Sequence, residues 1–241
     1  MKTSNKLFLT AILIVIISLI TYDFALRAEF KKGTYKSRFY GFEETKAFNG
    51  FKEIDNRAAN LISVRVEKGA EPSIWIKSSW KDRFNISRKG ATLVIEVANK
   101  QSTRVSAYNN SITIVCPSID KIITTPYLGK SGQNQIYSRG ITTVAGFTLD
   151  KLFLNISKGV DLFVEKNKIV NLQAVVGDPK SDNAALTISS GNVINNATIN
   201  VPGKNHLKIE NSAIVKRNFN IADSASVEFS GGFLKLFKNQ Q

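Results

Sequence analysis

Asp178 and Asp182, with Lys180 between them, come closer to chemistry than any other residues of this chain in type and spacing. They lie in Gly177-Asp178-Pro179-Lys180-Ser181-Asp182-Asn183, where a carboxylate pair can hold calcium while an amine removes a proton. That is the chemistry of a polysaccharide lyase. The same stretch is rich in turn formers, because Asp-Pro and Asp-Asn pairs punctuate loops. The expectation is therefore a polar loop between strands, with Asp161 and Glu165 solvated on a separate short strand.

The remaining inventory leaves little for catalysis. His206 is the only histidine, so no histidine cluster can ligate a metal and a serine triad has one base to draw on. It opens a strand beside Asn205 and reads as a surface residue. Cys116 is the only cysteine, so one chain can form no internal disulfide. Its place in Ile112-Thr113-Ile114-Val115-Cys116-Pro117 makes it a small buried hydrophobe rather than a reactive thiol. Gly129-Lys130-Ser131-Gly132 matches the end of a phosphate-binding loop, but the earlier glycine is missing, Thr124 stands in its place, and no helix pattern comes after it. No catalytic residue, cofactor or metal site is expected.

The elements that would position any site are short strands. Apolar-alternating stretches recur at intervals of about twenty residues and end on small residues. Leu152 to Ser157 runs into Lys158-Gly159, Leu186 to Ser189 into Ser190-Gly191, and Leu207 to Ser212 and Val227 to Gly231 repeat the pattern. A single strand of this kind cannot bury its apolar face, so neighbours must stack, as in a solenoid. Leu152, Leu172, Leu186 and Leu207 are expected to share one core, despite an interval of 14 between the middle two. Asn155, Asn171, Asn195, Asn196, Asn211 and Asn220 recur near strand ends, where they suit stacked ladders or turns.

Upstream, Ile62, Val64 and Val66 alternate, Lys68 to Pro72 turns, and Ser73 to Lys77 is expected to pair back as a hairpin partner. Trp75 is out of phase with Ile74 and Ile76 and points away from their core, while Trp80 is in phase. An outward Trp75 offers a stacking surface, unless the aromatic segment with Phe39, Tyr40, Phe42 and Phe48 covers it.

The opening Phe51-Lys52-Glu53-Ile54, Val64-x-Val66-x-x-Gly69, Ile74-x-Ile76, Gly90-x-x-Leu93-x-Ile95 and Ile112 to Pro117 come in a telling order. With the small-residue turns at Ser157 to Gly159, Ser189 to Gly191 and Ser224 to Ser226, this order resembles the auto-transporter adhesin family of bacteria, also called the head GIN domain family. The resemblance covers residues 50–238 and rests on pattern; the turns here are degenerate and often basic, unlike the family's acidic ones. It implies an all-β, right-handed parallel β-helix, exported and without established catalytic activity.

Lys2 and Lys6 precede an uncharged run from Leu7 to Tyr22, closed by Asp23. Sixteen helical residues span about 24 Å, somewhat short of the bilayer's hydrocarbon core, and flanking residues can make up the difference. The cleavage signal is poor, with Leu26-Arg27-Ala28 its nearest match, so an uncleaved anchor is expected over a removed signal peptide. Five basic residues between Arg27 and Arg38 do not favour export of the C-terminal side, yet large domains translocate largely regardless of charge.

The chain carries 33 basic and 19 acidic residues, net +14. Removing the seven basic and two acidic residues of 1–38 leaves 26 and 17, so the remainder carries +9. This favours anionic partners such as acidic glycans or envelope components, with no specific nucleic acid implied. The expected organisation is an anchor at 1–26, a stem at 27–50 and a β-solenoid at 51–241. The expected function is a non-enzymatic, membrane-anchored, adhesin-like protein whose C-terminal domain is extracytoplasmic. The alternatives are a lyase-like β-helix enzyme and a binder of anionic polymers.

Overall fold

The apolar run continues as helix well beyond Tyr22. In the computed structural model, α1 spans Thr3–Lys32, 30 residues and thus about 45 Å long. Gly33 ends it in a left-handed conformation (φ 67°), returning its N–H to the Phe30 carbonyl. The hydroxyls of Thr10, Ser18 and Thr21 donate to the carbonyls of Lys6, Ile14 and Ile17, so the polar side chains of the apolar stretch are satisfied within the helix. The structure describes residues 2–33, 36–45, 48–98, 110–128, 139–180 and 182–233. It divides into two compact units, residues 1–42 and 43–241.

The second unit is built from strands in two large sheets. Its early strands are β1 (Phe42–Glu44), β2 (Glu53–Asn56), β3 (Ser63–Lys68), β4 (Ser73–Lys77), β5 (Phe84–Lys89), β6 (Thr92–Val97), β7 (Asn110–Cys116), β8 (Lys121–Thr124) and β9 (Gly140–Ala145). The later ones are β10 (Thr148–Ile156), β11 (Val160–Glu165), β12 (Lys168–Val176), β13 (Asp182–Ile188), β14 (Val193–Val201), β15 (Lys204–Glu210), β16 (Ala213–Ile221) and β17 (Ser226–Ser230). One sheet runs β1-β4-β7-β3-β9-β11-β13-β15-β17 and the other β16-β14-β12-β10-β8-β2-β6-β5. From β8 onward successive strands alternate between sheets, and each pairs in parallel with the strand two later.

The register accounts for the leucine spacing. Leu152 pairs with Leu172 in one sheet, and Leu186 with Leu207 in the other. The interval of 14 is the step from one sheet to the sheet facing it. All four are at most 1% exposed and belong to one core. Burying a leucine fully stabilises by about 1.5–3 kcal/mol, so these stacks hold the two sheets together.

The hairpin expected between Ser73–Lys77 and the strand before it is corrected, and the expected parallel β-helix gives way to mixed sheets at the N-terminal end. Ser73–Lys77 pairs antiparallel with β7 rather than with β3, and β5 pairs antiparallel with β6. β2 lies between β6 and β8 and β3 between β7 and β9, so these two early strands sit inside the sheets. The chain leaves through β4 and a 3-10 turn at Ser78–Arg83, reverses in β5, and returns past β2 and β3 on both sides. Trp80 packs in that turn, stacked on Phe84 at 6.0 Å.

From β9 onward, each passage from the nine-stranded sheet to the eight-stranded one uses a residue with positive φ. Gly146 (79°), Lys166 (53°), Gly191 (83°) and Asn211 (33°) occupy equivalent corners, immediately before Phe147, Asn167, Asn192 and Ser212. Asn167 and Asn192 are 0% and 2% exposed. Their Oδ1 atoms accept the backbone N–H of Phe147 and Asn167, both at 2.9 Å. Their Nδ2 atoms donate to the carbonyls of Val144 and Val164 at 3.0 and 2.8 Å. The corner is thus a buried amide ladder that satisfies backbone groups no strand can reach.

Candidate functional site

The outer faces of the two sheets differ in charge. On β9–β11–β13–β15–β17 the acids come with their own cations. Asp161 takes a bidentate pair from Arg139 at 2.5–2.6 Å, and Glu165 meets Arg65 at 3.3 Å. Lys208 bridges Glu210 and Glu228 at 3.1 and 3.0 Å, and the hydrogen bonds to those carboxylates raise its pKa. A shallow groove of about 330 Å3 runs over Ala185, Thr187, His206 and Lys208 on this face. His206 stands exposed in it, between Ala185 and Ser226 on the neighbouring strands. Each of these acids thus faces a cation.

The opposite face is different. β12, β14 and β16 contain Lys168, Lys216 and Arg217 and not one aspartate or glutamate. Its border lies on β10, where Asp150 is exposed and Lys151 reaches Asp120 at 3.7 Å. Outward residues form columns across the strands, at a spacing of about 4.8 Å. One column is Lys151–Asn171–Asn196–Lys216, another Phe153–Gln173–Thr198–Asn218, and a third Asn155–Val175–Asn200–Asn220. Asn196 donates to Asn171 Oδ1 at 2.9 Å, Asn171 to the Asp150 carbonyl at 3.3 Å, and Asn220 to Asn200 Oδ1 at 3.1 Å. At the bend of each strand two successive residues face out, which exposes Val170 and Val215; Val193 is exposed at the start of β14.

Arg217 does not join this surface. It aligns with the inward column Leu152–Leu172–Ala197, and its guanidinium lies 5.9 Å from the centre of the Phe233 ring. An inward charge on the last strand of a sheet discourages further strand addition.

The lyase-like residues separate. Asp178 Oδ1 accepts the Lys180 N–H at 2.9 Å, an Asx turn, while Asp182 starts β13 and pairs with Lys158 at 2.8 Å. The Lys158 hydrogen bond holds the Asp182 carboxyl below its usual range. This corner is fixed from the next rung by buried Asn205, which accepts Ala184 N–H and donates to the Asp178 carbonyl. Gly129 to Gly132 lies outside the described residues. Cys116 is 1% exposed, and burial pushes its thiol up to about 12. Trp75 is half-buried opposite Thr113, with its indole N–H on Ser73 Oγ at 3.1 Å.

The asparagines singled out by sequence divide in the same way. Asn171 and Asn196 form the outer ladder, Asn220 adjoins Asn200 in the third column, where Val175 stands between Asn200 and Asn155, and Asn195 faces out at the bend. Asn211 turns a corner and accepts Gly232 N–H at 3.1 Å. Sequence alone does not single out the buried pair Asn167 and Asn192, although each directly follows a turn residue and precedes a strand. It does not reveal the acid-free strands either, because the acids of β11, β13 and β15 intervene along the chain.

No protein-family model matches the chain, and no curated protein matches it. Solved structures similar in fold include a proposed adhesin from Bacteroides fragilis, at 12% identity and TM-score 0.42, covering 78% of this chain and 96% of that one. A proposed adhesin from Parabacteroides merdae is similar at 12% identity and TM-score 0.39, covering 79% and 96%. A proposed lipid-binding protein from Parabacteroides distasonis is similar at 12% identity and TM-score 0.34, covering 79% and 96%. At such distances the functional argument rests on this chain's own residues.

Proposed function

We propose that this chain is an exported, membrane-anchored, non-enzymatic adhesin-like protein of the head GIN domain type. In this reading its strands wind as a right-handed parallel β-helix that presents a binding face to the cell envelope or its surroundings. The observation that carries the reading is the outer face of β12, β14 and β16, where stacked amides and lysines lie together without an acid. Such a face suits long-lived contact with a polyhydroxyl or anionic polymer. Helix α1 supports the anchor, being long and apolar enough to cross a bilayer. Residues 1–26 then form the span, 27–50 the stem and 51–241 the exported domain.

The test is fractionation of cells producing the full chain, followed by protease treatment of intact spheroplasts and N-terminal sequencing. The expected result is a membrane-bound protein with an intact N-terminus, digested from outside. A soluble protein starting near Glu29 overturns the anchor, and a protected domain overturns the export.

A further inference from the structure

Resting on that reading, we infer that an extended acidic polysaccharide lies across β10, β12, β14 and β16, with one sugar ring over each strand. The first support is the repeat. The column Lys151–Asn171–Asn196–Lys216 advances by one strand spacing per residue, about 4.8 Å, close to the rise of one pyranose in an extended glycan. A linear glycan therefore stays in step over all four strands. A peptide strand, whose side chains on one face repeat at about 6.8 Å, falls out of step at once.

The second support is hydrogen-bonding capacity. The ladder bonds consume one N–H of Asn171 and one of Asn196. The second N–H of each amide and the Asn196 carbonyl oxygen face outward for ring hydroxyls or acetamides. Gln173 and Thr198 lie alongside in the next column, and Val170 and Val215 offer apolar contact to the C–H faces of the rings.

The third support is charge. Lys168 and Lys216 have no ion pair among the described residues, and neither β12 and β16, which carry them, nor β14 between these strands has an aspartate or glutamate. On the other sheet Arg139 and Lys208 are already paired with acids. A polymer bearing regular carboxylates thus meets unpaired lysines beside acid-free strands on this face.

The experiment is calorimetric titration of the full chain, in uncharged detergent micelles, with hexagalacturonate, its methyl ester and inorganic polyphosphate. The parent should bind the acid more tightly than the ester. An Asn171→Leu, Asn196→Leu variant should lose about tenfold or more toward both sugars, as expected for two lost hydrogen bonds. A Lys168→Gln, Lys216→Gln variant should bind both sugars alike. Thr187→Ala, on the other sheet, should change nothing, and circular dichroism checks that each variant is folded. The inference is overturned if the parent binds neither sugar, if polyphosphate binds as tightly and ignores the amide variant, or if Thr187→Ala weakens binding. Anchoring and export are read by fractionation, so they stand or fall separately.

Discussion

Replacing Asn192 with alanine is expected to lower the stability of the β unit by about 2–4 kcal/mol, whereas Asn196→Ala should change it by less than about 0.5 kcal/mol. Both residues belong to amide ladders, and burial is what separates them. Asn192 Oδ1 accepts the N–H of Asn167, and its Nδ2 donates to the carbonyls of Val164 and Ser189. After truncation the Val164 carbonyl still has the Ser189 N–H at 3.0 Å, and the Ser189 carbonyl still has the Ser212 hydroxyl at 2.6 Å. The Asn167 N–H has no second acceptor among the described residues, and a buried orphan donor costs about 1–3 kcal/mol. The void left by the amide adds about 1 kcal/mol. At Asn196 water replaces what is lost. Asn192→Asp should be as damaging as Asn192→Ala, since it turns a second oxygen toward two carbonyls. Urea unfolding of the full chain in uncharged detergent gives the stability, and hydrogen exchange of the peptide containing Asn167 locates it. An Asn192→Ala protein within about 0.5 kcal/mol of the parent, or an Asn167 amide still protected, refutes the reasoning.

Other outcomes rest on single residues. Gly140→Ala should destabilise by more than about 3 kcal/mol or prevent folding, because a Cβ there would lie 1.5 Å from the Ala59 carbonyl oxygen; expression and urea midpoint report it. Gly177→Ala should cost about 1–3 kcal/mol, since φ is +75° and the new methyl meets Asn205, which thermal unfolding will show. Cys116 should resist iodoacetamide at about pH 8 while folded and react once urea exposes it, as burial keeps the thiol protonated; labelling of the native protein would contradict this. Asp182 and Glu43 have lowered pKa values through Lys158 and Lys81, so their contributions exist above the unfolded value of about 4 and vanish as pH falls through the folded one. Any stability gap between the parent and Lys158→Gln should therefore close in acid, and a gap that widens there would be inconsistent with the pair.

The later strands are legible in sequence because each satisfies the period-two pattern by itself. Leu152, Leu172, Leu186 and Leu207 mark the core correctly, as their alternation is local. The early strands are not, since nothing local says that β7 rather than β3 is the partner of Ser73–Lys77. Which parallel strands meet is decided by how the chain leaves and returns, and the reversal at β4 and β5 is invisible to periodicity. The corner ladder is hidden by its turn residues: glycine at 146 and 191, but lysine at 166 and asparagine at 211. The polar face is hidden for a related reason. Charge along the chain looks scattered, and only pairing across 20 to 25 residues gathers Lys168, Asn171, Asn196 and Lys216 on one surface.

The unequal lengths of the repeats bear on how such a chain can change. Thr148 pairs with Lys168 and Val193 with Ala213, 20 residues apart, yet Lys168 pairs with Val193, 25 apart. Most of the surplus lies at one corner: nine steps separate Val176 from Ala185, where Ile156 to Asp161 and Val201 to His206 take five. The pairing of β13 with β15 shifts register by one residue between Asp182 and Ala185 and is regular beyond it, and buried Asn205 pins the base of the corner. A corner that has absorbed extra residues at the cost of one local register shift is a natural insertion point, so a foreign peptide spliced beside Pro179 should be displayed at the edge of the sheets while the strands themselves fold unchanged.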